Sequence, residues 1–414
     1  MNAKHYLIPD YVLDFKCSKC TECCKTDWKI YIDDKTAELY EKIAQSDELF
    51  AEEVKNNFKK AKNGKKEIIM NNVFEETDDA ELKKDSSHAC KAGCSFLLTD
   101  GRCSIQKRFG EEALSDTCKI YPRYITVTER GHEIALSFSC PTAAAKLKNK
   151  NQIQFYYDPE GYNFVDINGK YDKIGNFMDR RKHGKTNYFD IEELLIDIMQ
   201  LKEMDIETRL ILTGIVIDKI KDGDLAGLHR YIEHLEIDLF KEIKSISTNH
   251  TFNLKFIKEA IDLALMFILR HHDTKKLLVT AYDDLEILNE SIITTEKIMK
   301  FVDGYNKYYR PFYDNISHIY ENYFVNYIFS KRFYNMKYIE AYFLMVLFFI
   351  LIRFFVVCLC IKEERKVDED MIIEVIRAID RSIGHNDTYY KSLLKMVKTE
   401  GYTKLPYIIS LIIF

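Results

Sequence analysis

Residues 341–361 read AYFLMVLFFILIRFFVVCLCI, and the fold turns on whether this segment lies in lipid or in protein. Every residue except Arg353 is apolar or tyrosine, and the length nearly spans a bilayer. A charge near the middle of a spanning helix costs roughly 2.5 to 3.5 kcal/mol on insertion scales. Basic residues stand at both ends, so no inside-to-outside orientation is written into the segment. A helix apolar on all sides serves equally as the central helix of a soluble bundle. We read 341–361 as buried core, without stable membrane insertion; a membrane anchor is the alternative.

Working outward, helical spacing continues on both sides. Asp190 and Glu193 form a capping-box-like start, followed by Leu194, Leu195, Ile198 and Leu201 on one face. Further helices are expected at 206–221, 225–245, 253–271, 285–303, 317–330, 338–361, 368–382 and 388–398, with apolar 407–414 docking as a last helix or strand. The fold class is therefore mainly α, and 151–414 reads as an all-α helical domain. Composition agrees: with 15 Gly and 6 Pro in 414 residues, long loops are few, and 47% apolar content supplies real cores. A net charge of -5, with both signs interspersed, offers no basic face for nucleic acid. The first ten residues show neither a basic start nor an apolar stretch, so no secretory signal is read and the cytoplasm is expected.

The chain carries 11 cysteines. In a reducing compartment disulfides stay open, and metal ligation is the leading explanation. Cys358 and Cys360 sit in the apolar segment and read as core. The rest fall within 1–150, which we read as a small cysteine-rich domain for metal or an iron-sulfur cluster. The run Cys17-x-x-Cys20-x-x-Cys23-Cys24 lets one turn direct successive sulfurs at one centre. Cys140-Pro141 resembles the remote cysteine-proline ligand of ferredoxin-type runs, making a three-plus-one set with Cys17, Cys20 and Cys23. Cys24 is the adjacent spare: it does not easily share a metal with Cys23 and is free to serve a second centre. Cys94, Cys103 and Cys118 add three ligands, and Asp100-Gly101 is a turn that folds the loop between Cys94 and Cys103 back on itself. Two clusters, one cluster plus zinc, or one cluster with bystanders all fit this count. Cys90 is as readily a small hydrophobe.

Around the cysteines, 29–32 suggests a brief strand, Asp34 an N-cap, and 35–62 one or two amphipathic helices. The polar stretch 65–85 reads as a connection. Residues 124–129 and 133–139 flank Arg130-Gly131 as a short β-hairpin, with Ile125 and Val127 facing Ile134, Leu136 and Phe138.

These residues resemble the flagellin lysine-N-methylase family, whose members carry a CxxCxxCC zinc/iron-chelating region. The similarity is ordered. It runs through Tyr11, Phe15, the Cys17 to Cys24 run, Trp28, Cys94, Asp100-Gly101-Arg102-Cys103, Gly110-Glu111, Thr117-Cys118, Tyr121-Pro122-Arg123 and Cys140-Pro141. Weaker similarity follows at 323–329, in the helix bearing Arg353, and at Arg381-Ser382-Ile383 with His385. The stretch 65–89 and Asp27, where glycine is expected, depart from the pattern.

The resemblance implies methyl transfer from S-adenosylmethionine to lysine side chains of flagellin. It also implies metal ligands among Cys17, Cys20, Cys23, Cys24, Cys94, Cys103, Cys118 and Cys140. A 4Fe-4S cluster is the leading cofactor and zinc the alternative. The chain lacks a Gly-x-Gly-x-Gly loop, which speaks against a Rossmann-type donor site, and Leu97 stands where a Cys-x3-Cys-x2-Cys run starting at Cys90 needs its third cysteine. Arg123 is a candidate to neutralise cluster charge or grip the donor carboxylate, with a structural salt bridge the plainer role. Glu111 reads as a solvated turn carboxylate, His271 and His272 as a poor metal pair, and the tyrosines of 305–327 as helix packing. No general base is nominated. The alternatives are a non-enzymatic metal-binding or redox protein and a membrane-associated redox protein.

Overall fold

The computed structural model describes residues 5–26, 28–61, 64–71, 93–160, 176–177, 187–220, 255–263, 277, 294–384 and 386–413. It is mainly α-helical, with a small sheet toward the N-terminus. The helix Tyr338–Lys362 carries the apolar segment, and its residues from Ala341 to Cys360 are all buried in protein. It is the one helix among the described residues long and apolar enough to cross a membrane. Arg353 explains the choice of protein over lipid. Its guanidinium donates to the carbonyls of Ile412 (2.9 Å) and Leu411 (3.3 Å), at the C-terminal end of the last helix, Leu405–Ile412. Those carbonyls have no partner within their own helix and carry its negative dipole end, so a buried cation is both bonded and compensated there. Glu207 lies 3.9 Å away. Cys358 and Cys360 are core residues, 1% and 0% exposed.

Around this helix lie Tyr188–Met199, Ile206–Ile220, Thr295–Gly304, Ser317–Phe329, Glu369–Ser382 and Asp387–Thr399. Residues 255–263 are helical, and the expected helix at 225–245 and the pair His271 and His272 lie outside the described residues. The helix expected to start at Asp190 starts at Tyr188 instead, because Tyr188 and Phe189 are buried and wind the chain into the core before the acidic residues begin. The tyrosines of 305–327 pack as expected: Tyr305, Tyr309, Tyr313 and Tyr320 are buried in a continuous run of ring contacts, the first pair stacked and the next two tilted.

The sheet runs in the order Phe155–Tyr157, Tyr6–Pro9, Gly131–Leu136, Arg123–Thr128 and Asn176–Phe177. The hairpin is present, with Ile125 opposite Ile134, but Val127 faces His132 and Arg123 faces Leu136. Its second strand begins at Gly131, two residues earlier than expected. Gly131 adopts φ +114°, and a Cβ there would lie 2.4 Å from the His5 carbonyl, so only glycine lets the N-terminal strand close on the hairpin. Ser137 then leaves the strand and donates to the Pro122 carbonyl, which carries Phe138 and Cys140 away from the sheet.

One continuous core joins this sheet to the helices, from Ile8 to Ile412. The joint is polar as well as apolar. On helix Ser317–Phe329, Asn326 donates to the Leu136 carbonyl (2.9 Å) and accepts from its N–H (3.2 Å), while Asn322 donates to the carbonyls of Leu147 and Asn149. Deeper, Lys331 places its Nζ 2.5 Å from Glu133 and 2.7 Å from Glu192, and Arg130 bonds both carboxylates. A second, smaller core belongs to the cysteine-bearing segments: Ile30, Ile32, Tyr40, Phe50, Ile68, Phe96 and Ile105. Its helices are Asp34–Ser46 and Glu48–Asn57. The first is capped by Asp33, one residue before the expected Asp34, because the Asp33 carboxylate accepts from both the Thr36 N–H and hydroxyl. Within the expected connection 65–85, Lys66–Ile68 and Met70–Asn71 are short strands.

Candidate metal centre

The cysteine loop leaves a sheet-anchored turn in which Tyr11, Val12 and Phe15 are buried. Lys19 and Thr21 then adopt left-handed backbone on either side of Cys20, so the chain reverses twice within one run of cysteines. The Lys19 N–H donates to the Cys17 sulfur at 3.4 Å. A single turn of 3-10 helix, Glu22–Cys24, follows and carries the adjacent pair. Their sulfurs are 3.9 Å apart. Two thiolates at about 2.3 Å from one tetrahedral ion stand about 3.8 Å apart, so this pair has the spacing of a shared metal. The expectation that neighbouring cysteines diverge is not met, because the tight turn folds both side chains to one side.

Cys94 reaches this pair from a distant segment. It follows Gly93 in a two-residue strand paired with Met70–Asn71. Gly93 has φ +103°, and a Cβ there would sit 2.4 Å from the Cys24 carbonyl oxygen. The missing side chain lets the two cysteine segments touch. The turn at Asp100-Gly101 folds 94–103 back as expected: Leu98 and Arg102 pair, and Leu97 bridges Cys103. Cys103 occupies the N-cap position of the helix Ser104–Phe109, and Cys140 that of Pro141–Ala144. Cys118 lies in Asp116–Ile120, whose cap, Ser115, accepts from its N–H.

Electrostatics sorts the eight cysteines into two neighbouring sets. Cys23, Cys24, Cys94, Cys103 and Cys118 act on one another, whereas Cys17 and Cys20 act on Cys140. A hydrogen bond of 2.6 Å between Ser18 and Thr142 ties the second set together. Burial pushes the Cys94 and Cys118 thiols up to about 12, and it raises Cys103 and Cys140 against the pull of nearby backbone N–H groups. For Cys118 this is protein massed around the thiol, since the residue itself stands at the exposed rim. Cys23 goes the other way, to about 7, because the Cys24 thiol donates to it; Cys24 rises in consequence.

Such thiols are costly to ionise alone, and a bound cation removes that cost. The donor set is all sulfur, the chemistry of zinc and iron-sulfur centres. Ligand spacing is met by the Cys23 and Cys24 pair; among the described residues, no three Cys, His, Asp or Glu side chains form a ready metal site. Cys90 lies outside the described residues. Arg123, half-buried, stacks over Phe15 at 4.9 Å. Glu111 is exposed in a short 3-10 turn.

Two features escaped the sequence reading. The buried cluster of Arg130, Glu133, Glu192 and Lys331 joins positions too far apart for any local pattern. Arg381, seen there only as part of a similar stretch, reaches the cysteine loop: it donates to the Lys25 carbonyl at 2.7 Å and to Glu22 at 3.4 Å.

Residues 192–411, more than half of the chain, match the family model described as FliB lysine N-methylase C-terminal domain. Over 150 residues the chain is 28% identical to flagellar biosynthetic protein FliU of Salmonella muenchen, covering 34% of this chain and 75% of that protein. It is 27% identical to the Lysine-N-methylase of Salmonella choleraesuis and to that of Salmonella typhimurium, covering 34% of this chain and 32% of each. The match thus spans about a third of those methylases. No solved structure matches the chain.

Proposed function

The chain belongs to the FliB lysine N-methylase family, and from that premise we propose that it is a cytoplasmic enzyme that methylates lysine side chains of flagellin, using S-adenosylmethionine and an iron-sulfur centre held by its cysteines. The observation that carries this reading is the family match over 192–411, in a chain whose remaining part sets Cys23 and Cys24 side by side with Cys94 and Cys118 within their electrostatic reach. The flagellar and methylase names of the relatives support the acceptor.

When bound, S-adenosylmethionine supplies an electrophilic methyl on a sulfonium sulfur. The chain's part is to align a neutral lysine amine with that methyl and keep water out. Cys23, Cys24, Cys94, Cys103 and Cys118 hold one centre, and Cys17, Cys20 and Cys140 lie at its edge or serve a second. Arg123, fixed over Phe15, offers the planar donor fork that suits the donor's carboxylate. One observation favours zinc in place of a cluster: the 3.9 Å spacing of Cys23 and Cys24 is that of two ligands on one ion.

The test is anaerobic purification, then incubation with unassembled flagellin and S-adenosylmethionine, read by mass spectrometry of flagellin peptides. Methylated lysines are expected. Metal-loaded protein that leaves flagellin unmodified, and binds no S-adenosylmethionine by calorimetry, would turn the reading toward a non-enzymatic metal-binding protein.

A further inference from the structure

The helix Glu369–Ser382 belongs to the helical half, yet its last turn reaches into the cysteine module. Asp380 accepts from the N–H of Phe138, two residues before Cys140, and from the hydroxyl of Tyr323. Arg381 is 9% exposed. One terminal nitrogen donates to the carbonyl of Lys25, the residue after Cys24, and the other to the carboxylate of Glu22, the residue before Cys23. The guanidinium therefore brackets the adjacent cysteines from outside. Burial pushes the Tyr121 hydroxyl up; Cys140 and Cys23 add to that shift and Arg381 opposes it, so Tyr121 lies within reach of the guanidinium and of one thiol from each set. The third nitrogen, Nε, is buried and its N–H has no hydrogen-bond partner among the described residues. A buried N–H without a partner is costly, and a sulfur-rich, negatively charged group beside it would relieve that cost.

We propose that Arg381 is the positioning residue of the metal centre: it clamps the turn bearing Cys23 and Cys24, and its Nε–H serves the bound sulfur-rich group. The helical half thereby completes a site that the cysteine segments begin. Hydrogen bonds and positive charge near cluster sulfurs are among the levers that set reduction potential, since both favour the more negative reduced state. This inference rests on the metal-centre reading above.

The experiment compares wild type, Arg381→Lys and Arg381→Gln, each purified anaerobically as the full chain. Melting curves and helical content confirm folding; iron, sulfide and zinc are counted; the potential is read by redox titration of the visible absorbance. The expected result is a more negative potential in both variants, larger for Arg381→Gln, or loss of iron and sulfide from a folded Arg381→Gln with partial retention in Arg381→Lys. Folded variants with wild-type metal content and potential would overturn the inference and leave the metal reading standing. Wild-type protein without any metal would overturn both. If wild type holds zinc alone, the readout is its release to a chelator: faster from Arg381→Gln supports the clamp, and equal rates overturn it. Should neither variant fold, pulsed paramagnetic resonance on reduced wild type carrying isotopically labelled arginine decides, since coupling to a guanidinium nitrogen is expected and its absence contradicts the proposal.

Discussion

Two buried clusters of ionisable side chains meet the same physical problem and solve it differently. At the joint between sheet and helices, Lys331 and Arg130 face Glu133 and Glu192, and the charges close on each other. Burial pushes the Glu133 carboxyl up, and the two cations more than reverse it, so it sits below its usual range. Tyr188 donates a further bond to Glu192, and the Phe329 carbonyl accepts from Lys331. In the cysteine segments Cys94, Cys103, Cys118 and Cys140 have other thiols for neighbours and are driven up by the surrounding protein, and Cys24 is driven up by its bond to Cys23. A cluster that satisfies itself is structural. One that gathers donors of a single kind, with the cation Arg381 at its edge, is the arrangement the proposed metal centre requires.

That contrast can be broken most forcefully at its closed end. Lys331→Met leaves two buried carboxylates competing for Arg130 and should cost about 3 to 5 kcal/mol of stability, measured by urea unfolding. A loss below about 1 kcal/mol would mean that the carboxylates find protons or water as readily as a cation. Arg353→Met tests the same logic inside the long helix. It removes both bonds to the terminal carbonyls and the nearest cation to Glu207, and a loss of about 2 to 3 kcal/mol is expected by the same measurement.

At the open end, Gly93→Ala forces a Cβ against the Cys24 carbonyl and a side chain onto left-handed backbone. The strain is on the order of 1 to 3 kcal/mol, but the telling readout is metal: iron and sulfide should fall well below wild type while helical content holds. An effect read in pH rather than at one condition belongs to Asp380, whose carboxyl burial pushes up to about 6 against bonds from Tyr323 and Phe138 and the charge of Arg332. A carboxyl that binds its proton more tightly folded than unfolded lends stability at low pH and loses it as pH rises from about 4 to 6. The loss is on the order of 3 kcal/mol at most. Asp380→Asn should flatten unfolding free energy across that window and match or exceed wild-type stability at neutral pH. An unchanged slope would show that Asp380 binds its proton no more tightly folded than unfolded.

What was legible in the residues follows the reach of each signal. The period-two run around Ile125 and Ile134, the Asp100-Gly101 turn and the all-round apolar 341–361 are local patterns, and each forms, the hairpin with its second strand shifted two residues toward the turn. The strand Tyr6–Pro9 was not legible, since four residues carry too little pattern and its parallel partner lies more than a hundred positions away. The eight candidate ligands could be named from spacing and resemblance, but their sorting could not. The sequence spacing groups Cys23 with Cys17 and Cys20, whereas the left-handed residues Lys19 and Thr21 turn it toward Cys24, Cys94, Cys103 and Cys118. The roles of Arg381 and Lys331 carry no local signal, because their partners come from other parts of the chain.

The most direct test of the central claim is an elemental one: iron, acid-labile sulfide and zinc per chain in anaerobically purified protein, with and without Cys94→Ala. The account predicts bound iron with matching sulfide, or zinc, falling sharply in the variant. Folded wild-type protein with none of the three, its thiols open to alkylation, would contradict it.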